Sequence, residues 1–255
     1  MIKKKIVFTG GTGRFGTILK KEYDKSIFNI LFPSKKILNI LDIRSIKRYL
    51  ITKKPKYLIH AAALSRPMSL HDSNISKSID LNIIGTSNIT KVCSELKIKL
   101  IFISTSYVYP GEKGNYRESD PIKPINNYGL SKMGGEAAVQ MYKNSLIIRA
   151  SMTEKPFIHK NAFFDFISNF AYHEDIAKII LKTIDQKGII NIGGKSQSVY
   201  NFAKSKNAKV KKISIKKILG KNSKSDVSMN LNKIKKFLRS CWSKYNKNFF
   251  YKKLI

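Results

Sequence analysis

The chain has 255 residues, 42% of them hydrophobic and 25% charged, which is enough to bury a sizeable core in one domain or one and a half. Its 49 Lys and Arg stand against 16 Asp and Glu, for a formal charge of +33, a field that draws anionic ligands. No stretch approaches the roughly 18 apolar residues of a membrane span, and the first apolar run stops at Gly10 with no small-residue cleavage site behind it, so the expectation is a cytoplasmic protein without a span or leader.

Residues 2 to 9 are a nearly continuous apolar run behind lysines, the pattern of a strand buried on both faces, and Thr17 to Tyr23 follow as a helix after a glycine turn. Ile27 to Phe32 suits a second strand, Ile43 to Lys53 a second helix, and Tyr57 to Ala63 a third strand ending in small residues. Helical spacing resumes over Ser78 to Leu96, and Lys99 to Thr105 is another buried strand. Such alternation predicts an α/β fold with a doubly wound parallel sheet of the Rossmann type and right-handed crossovers.

Pro110 to Asn127, rich in Gly, Pro, Asn and charge, is expected as a loop over the mouth of the sheet. Ser131 to Tyr142 reads as a helix and Ser145 to Arg149 as the next strand. Beyond Ala150 the signal thins to a helix over Glu174 to Ile184, a strand and turn over Gly188 to Gly194, and a helix over Leu231 to Leu238, with an aromatic tail from Trp242 onward that packs back or frays. The expected division is a dinucleotide-binding domain over 1–150 and a small, shortened C-terminal substrate lobe over 151–255.

Charge and cysteine usage narrow the partners. Residues 201 to 255 carry 17 Lys or Arg against one acid, Asp226, but the lysines are scattered rather than gathered with aromatics, as lysine drift in AT-rich coding sequence produces. Nucleic acid is therefore not the expected partner. Cys93 and Cys241 have no metal-like spacing around them, so free thiols and no metal are expected.

Three motifs carry the chemistry. Gly10-Gly-Thr-Gly13-Arg14-Phe15-Gly16 lies between a buried strand and a helix, where glycines permit a tight turn and close backbone approach while the helix N-terminus faces a pyrophosphate. The acid that would grip an adenosine ribose at the end of the second strand is missing, and Phe32-Pro-Ser34-Lys35-Lys36 stands there instead. Ser34 and Lys35 suit a 2′-phosphate and Arg14 suits adenine or that phosphate, which favours NADP, with NAD as the alternative. Asp42 fits either an adenine-edge contact or a plain helix N-cap.

Tyr128 and Lys132 are four apart on a helix and so share a face, and Thr105 ends a strand. An ammonium beside the phenol, together with an oxidised nicotinamide, would lower the tyrosine pKa and let it pass a proton to or from a sugar oxygen.

With these pieces the chain resembles the extended short-chain dehydrogenases/reductases, and most closely the dTDP-4-dehydrorhamnose reductase group of sugar-nucleotide enzymes. The residues that carry the resemblance are the Gly10–Gly16 turn, Leu41-Asp42, His60-Ala-Ala-Ala63, Leu81-Asn82-Ile-Ile-Gly-Thr86, Ser104-Thr-Ser-Tyr-Val-Tyr-Pro-Gly111, Glu118-Ser-Asp-Pro121, Tyr128-Gly-Leu-Ser-Lys132 and Ile148-Arg149. His173-Glu-Asp175-Ile-Ala and Ile190-Asn-Ile-Gly-Gly194 resemble its later landmarks.

The resemblance implies Tyr128 as general acid, Lys132 as its electrostatic partner and nicotinamide-ribose ligand, and Thr105 as the carbonyl-polarising hydroxyl. It also implies Gly10, Gly13 and Gly16 as the pyrophosphate loop, Ala61, Ala62 and Ala63 as the wall beside the cofactor, and Asn82 as a support inside the sheet. Members often form homodimers.

Related dehydratases need an acid pair directly after the threonine, where this chain has Ser106-Tyr107, so dehydration is disfavoured. The expected function is reduction of the 4-keto group of a nucleotide-activated deoxysugar for surface-polysaccharide precursors. The alternatives are an NAD-dependent 4-epimerase, and a non-catalytic cofactor-binding protein with a nucleic-acid-binding basic tail. The stretch between Arg149 and His173 is shorter than the segment with which the family holds the substrate's nucleotide half; His159 and His173 in it are expected to be structural or solvent-facing.

Overall fold

The apolar runs become strands of one parallel sheet in the computed structural model, which describes residues 3–205 and 207–242. In chain order the first half comprises β1 (Lys4–Thr9), α1 (Arg14–Glu22), β2 (Phe28–Leu31), α2 (Ile43–Lys53), β3 (Tyr57–His60), α3 (Leu70–Ser73) and α4 (Ile75–Ile79). A five-residue π turn (Asp80–Ile84), α5 (Gly85–Glu95), β4 (Lys99–Thr105), α6 (Asn127–Gln140) and β5 (Ser145–Ala150) complete it. The second half has β6 (Met152–Thr153), β7 (Asn161–Phe163), β8 (Ile167–Ser168), β9 (Ala171–Tyr172), α7 (His173–Thr183) and β10 (Gly188–Ile192). It ends with β11 (Gln197–Ser198), α8 (Val199–Lys204), β12 (Lys211–Ile213), α9 (Ile215–Leu219) and α10 (Asn232–Trp242).

The sheet runs β10-β5-β4-β3-β1-β2 with every neighbour parallel. Chain order reverses between β1 and β3, and doubly wound sheets bind ligands outside the carboxyl ends of their strands at such a switch point. β4 and β5 are buried along their whole length, as expected of central strands covered on both faces. Alternation splits β1: Ile6 and Phe8 pack toward α1 and α7 with Leu19 and Ile180, while Val7 packs toward α2 and α5 with Ile46 and Val92. Each such buried aliphatic side chain contributes about 2 kcal/mol through removal of apolar area from water.

α2 shows how local sequence sets an element. The Asp42 side chain caps its first turn, Ile46 and Leu50 bury one face, and Lys54 ends it in the left-handed region at φ 45°.

The division at residue 150 does not follow the packing. β10 supplies the sixth strand of the main sheet, and Ile176 and Ile180 of α7 and Ile234 and Leu238 of α10 join the core on one of its faces. The separate lobe is what remains: the β7–β12, β8–β11 and β6–β9 pairs around Phe157, Phe166, Phe202 and Val227. No helix among the described residues is long and apolar enough to cross a membrane. Cys93 is buried and Cys241 half-buried, both as free thiols. The expectation for the aromatic tail from Trp242 onward falls on side chains outside the described residues.

Candidate active site

A cleft of about 1650 Å³ opens at the carboxyl ends of the strands, between the sheet and the lobe, and the glycine turn forms its floor at one end. Gly10 sits at φ 83°, a conformation that L side chains rarely adopt, and a Cβ there would stand 2.8 Å from the Ala62 nitrogen. At Gly16 a Cβ would lie 2.5 Å from the Gly10 carbonyl oxygen. The backbone is thus drawn tight around an open turn, the Gly13 N–H donates to the Gly10 carbonyl at 2.9 Å, and the N-terminus of α1 faces the cleft. These residues fit the diphosphate of a dinucleotide. Phe15 lines the cleft and also packs into the core against Phe8 and, edge-on, His173.

Ala61, Ala62 and Ala63 line the adjoining wall. A buried relay behind them fixes their place. The Thr86 hydroxyl donates to the Asn82 carbonyl, so His60 Nε2–H donates to Thr86 Oγ1 at 3.1 Å; His60 Nδ1 then accepts from the Thr9 hydroxyl at 2.7 Å, and Thr9 Oγ1 accepts from the Ala62 N–H. Burial, with help from the Lys132 charge, lowers the His60 pKa to about 3, so the ring stays neutral.

At the adenosine end the structure divides the expected residues. Lys35 lines the cleft together with Leu38, Asn39 and Ile40, three contacts the motif reading did not include. Ser34 is not among the lining residues; its carbonyl closes the turn by accepting from the Ile37 and Leu38 N–H groups. Asp42 is an N-cap outside the residues that line the cleft: it is exposed, and its Oδ1 accepts from Arg44 N at 2.9 Å and Ser45 N at 3.2 Å. Arg14 lines the cleft, but its Nε lies 3.1 Å from Glu154 Oε1.

Thr105, Tyr128 and Lys132 all face this cleft. Burial pushes the Tyr128 phenol up to about 12, opposed by its hydrogen bond with Thr105 and by the Arg66 charge. Lys132 is 2% exposed, with Nζ 4.1 Å from the centre of the Phe102 ring. Its pKa falls to about 7 through desolvation, which the Glu136 carboxylate only partly offsets. The expectation that Lys132 depresses the tyrosine pKa is therefore not met by this protein alone; desolvation outweighs it, and the cation acting on the phenol is Arg66. The Tyr128 ring is held by His71 and Tyr107, at 5.1 and 6.1 Å between centroids.

Two buried networks brace the triad. Asn82 lies in the π turn, not in the sheet: its Nδ2 donates to the Leu64 carbonyl and Ser131 Oγ, its Oδ1 accepts from the Leu64 N–H, and Ser131 Oγ donates to the Tyr128 carbonyl. One turn beyond Lys132, Glu136 accepts from Ser104 Oγ and from Arg149 Nε and Nη2, the last at 2.9 Å, while Arg149 Nη1 donates to Tyr109 Oη.

Sequence reasoning missed Arg66 and Glu154. Arg66 Nη1 meets Glu154 Oε2 at 2.7 Å inside the cleft. Burial would raise the Glu154 pKa, but its own backbone N–H and the charges of Arg66, Arg14 and His173 together lower it. His173 is buried beside Phe15; His159 is exposed at the rim, with its ring edge-on to Phe157.

Comparison with known proteins agrees with this geometry. The family described as the RmlD substrate binding domain matches residues 4–189. Methionine adenosyltransferase 2 subunit beta of Xenopus laevis is 32% identical over 143 residues, 53% of this chain and 42% of that protein. Spore coat polysaccharide biosynthesis protein SpsK of Bacillus subtilis is 31% identical over 150 residues, 58% of this chain and 52% of the relative. The chain spans about half the length of these curated relatives. Among solved structures, dTDP-4-dehydrorhamnose reductase from Bacillus anthracis in complex with NADP superposes with a TM-score of 0.82 at 24% identity, covering 92% of this chain and 93% of that one. With its glycine cradle, its Tyr128 and Lys132 pair and a family match over most of its length, the chain belongs to the RmlD substrate binding domain family, within the extended short-chain dehydrogenases/reductases.

Proposed function

We propose that the chain reduces the 4-keto group of a nucleotide-activated deoxysugar with NADPH, in the supply of surface-polysaccharide precursors. The observation that carries this reading is the convergence of Thr105, Tyr128 and Lys132 on the cleft that the glycine turn floors. Reduction needs a proton on Tyr128 at the start of its step, and burial, which raises the phenol's pKa, favours the protonated form in the free chain.

Gly10, Gly13 and Gly16 would hold the cofactor's diphosphate, Lys35 a 2′-phosphate, Lys132 the nicotinamide ribose, and Ala61 to Ala63 the flat side of the ring. When bound, the reduced nicotinamide supplies hydride to the carbonyl carbon. Thr105 orients the carbonyl oxygen through its hydroxyl, and Tyr128 delivers a proton to that oxygen. Lys132, buried and poised near pH 7, gains or loses its own proton at little cost during the cycle. Ser106 and Tyr107 after Thr105 supply no carboxylate pair, so the site lacks the acids that elimination of water requires. The relatives' names, a dTDP-4-dehydrorhamnose reductase and a spore coat polysaccharide biosynthesis protein, support the substrate class.

The test is a panel of nucleotide-linked 4-keto sugars followed by loss of NADPH absorbance. Stoichiometric oxidation with one of them upholds the reading, and interconversion of 4-epimers without net cofactor consumption replaces it with epimerisation. A second reading is favoured by the relative named as a subunit of methionine adenosyltransferase 2: a cofactor-binding subunit without turnover of its own. Tight NADPH binding with no oxidation across the whole panel is the result that selects it.

A further inference from the structure

Arg14 stands on the glycine turn, and Arg66 on the loop that follows the alanine wall. They reach into the cleft from separate segments and converge on one carboxylate, that of Glu154, just beyond β6. Arg14 Nε is 3.1 Å from Oε1, and Arg66 Nη1 is 2.7 Å from Oε2. The Glu154 side chain is 15% exposed, against 28% for Arg66 and 48% for Arg14, so the anion is the most enclosed member. The Arg14 Nε–H direction misses Oε1, which is buried and accepts no hydrogen bond. Two guanidinium groups outnumber the single carboxylate, and one of its two oxygens is poorly served.

Two guanidiniums that reach one point of a ligand cleft from separate segments have the geometry with which proteins hold a phosphate or diphosphate. We propose that Arg14 and Arg66 form a diphosphate subsite that Glu154 occupies as a built-in counter-ion, and that the ligand's diphosphate displaces the Glu154 carboxylate. This rests on the cleft being the ligand site of the proposed reading, not on turnover. The carboxylate offsets the repulsion between two partly exposed cations before the ligand arrives. Its imperfect geometry makes it a weak competitor for a diphosphate, which offers more oxygens and more charge. The subsite is bounded on one side by the Gly10–Gly16 turn and on the other by Tyr107 and Tyr128, so the diphosphate belongs either to the dinucleotide or to a nucleoside diphosphate-linked substrate.

The experiment measures binding by calorimetry on the full chain, with no turnover involved. Glu154→Gln removes the competing charge and keeps the side chain's size. Affinity is expected to rise about fivefold, the scale of a partly exposed ion pair. A rise for NADPH on the free protein assigns the diphosphate to the cofactor, and a rise for dTDP on NADPH-saturated protein assigns it to the substrate. Glu154→Asp, which keeps the charge, is expected to bind both as the parent does. Unchanged or weaker affinity for both ligands in Glu154→Gln overturns the proposal. Should that variant melt early, Arg14→Gln and Arg66→Gln carry the test: loss of affinity for NADPH or dTDP is expected, and unchanged affinity for both overturns the subsite. Failure to reduce any keto-sugar would refute the proposed activity and leave this binding result standing.

Discussion

The sheet side of the cleft and the lobe side are built by different means. Thr105 ends a seven-residue strand that is buried throughout, and Lys132 sits within a fourteen-residue helix. The polar groups around them, from Asn82 to Glu136, are tied by hydrogen bonds that admit one arrangement. Across the cleft, Phe157, Phe163, Phe166 and Ile218 come from loops, a three-residue strand and a five-residue helix. An apolar wall repacks without orphaning a polar atom, whereas a hydrogen-bonded wall does not. In the proposed reading, proton transfer and cofactor binding thus fall to the rigid side, and the shape of the substrate to the adaptable one.

Substitutions on each side put that division at risk. The largest effect is expected from Tyr128→Phe: turnover falls by about 10³-fold while calorimetric NADPH affinity stays at the parent value. Turnover near the parent rate would move the proton donor off the sheet side. Next comes Glu136→Gln, which leaves the buried Arg149 guanidinium without its counter-charge and should cost about 3 kcal/mol in denaturant unfolding. An unchanged midpoint would mean that the brace is not rigid.

Lys132→Met acts in the opposite direction. Desolvation lowers the lysine from its ordinary 10.5 to about 7 in the folded chain. Between those values the unfolded state binds a proton that the folded state refuses, so the wild type loses stability as pH falls from 10.5 to 7, and the penalty is complete below 7. The methionine variant should therefore be more stable by about 2 kcal/mol at pH 7, measured by thermal unfolding, with the gain fading as pH rises toward 10.5, and with turnover lost. A gain that does not change with pH would separate it from the titration of Lys132. The smallest effect is expected from Ile218→Ser at the exposed mouth: stability within about 0.5 kcal/mol, unchanged NADPH affinity and an altered substrate KM. Weakened NADPH binding there would join the two sides into one.

How far the sequence reveals each side follows from element length. Ile43–Lys53 and Lys99–Thr105 coincide with their predicted bounds because a cap and uninterrupted apolar spacing define them. The paired strands of the lobe are too short for any two-residue alternation to register, and none of them was legible. Motif spacing singled out Gly10, Gly16, Thr105, Tyr128 and Lys132, and all five line one cleft. Spacing carries no information on desolvation, which in the chain without cofactor raises the Tyr128 pKa. It is equally silent on long-range pairing between loop residues, which is why Arg66 and Glu154 escaped notice and the pairing of Arg14 with Glu154 was not foreseen. Asp42 had two roles open to it, and the position of the Arg44 and Ser45 amides shows that it fills the cap.

The place of β10 bears on how the protein comes to be folded at all. β5 is buried along its length, and the strand that covers its outer edge is spelled about forty residues later. During synthesis on a ribosome, the nascent chain therefore spends several seconds with that edge bare, able to template pairing with a second molecule. Completion of the sheet must wait for Gly188–Ile192 to emerge, so the lobe stitched in between is a delay as well as a wall, and the interval in which it is made is when the protein is most exposed to aggregation.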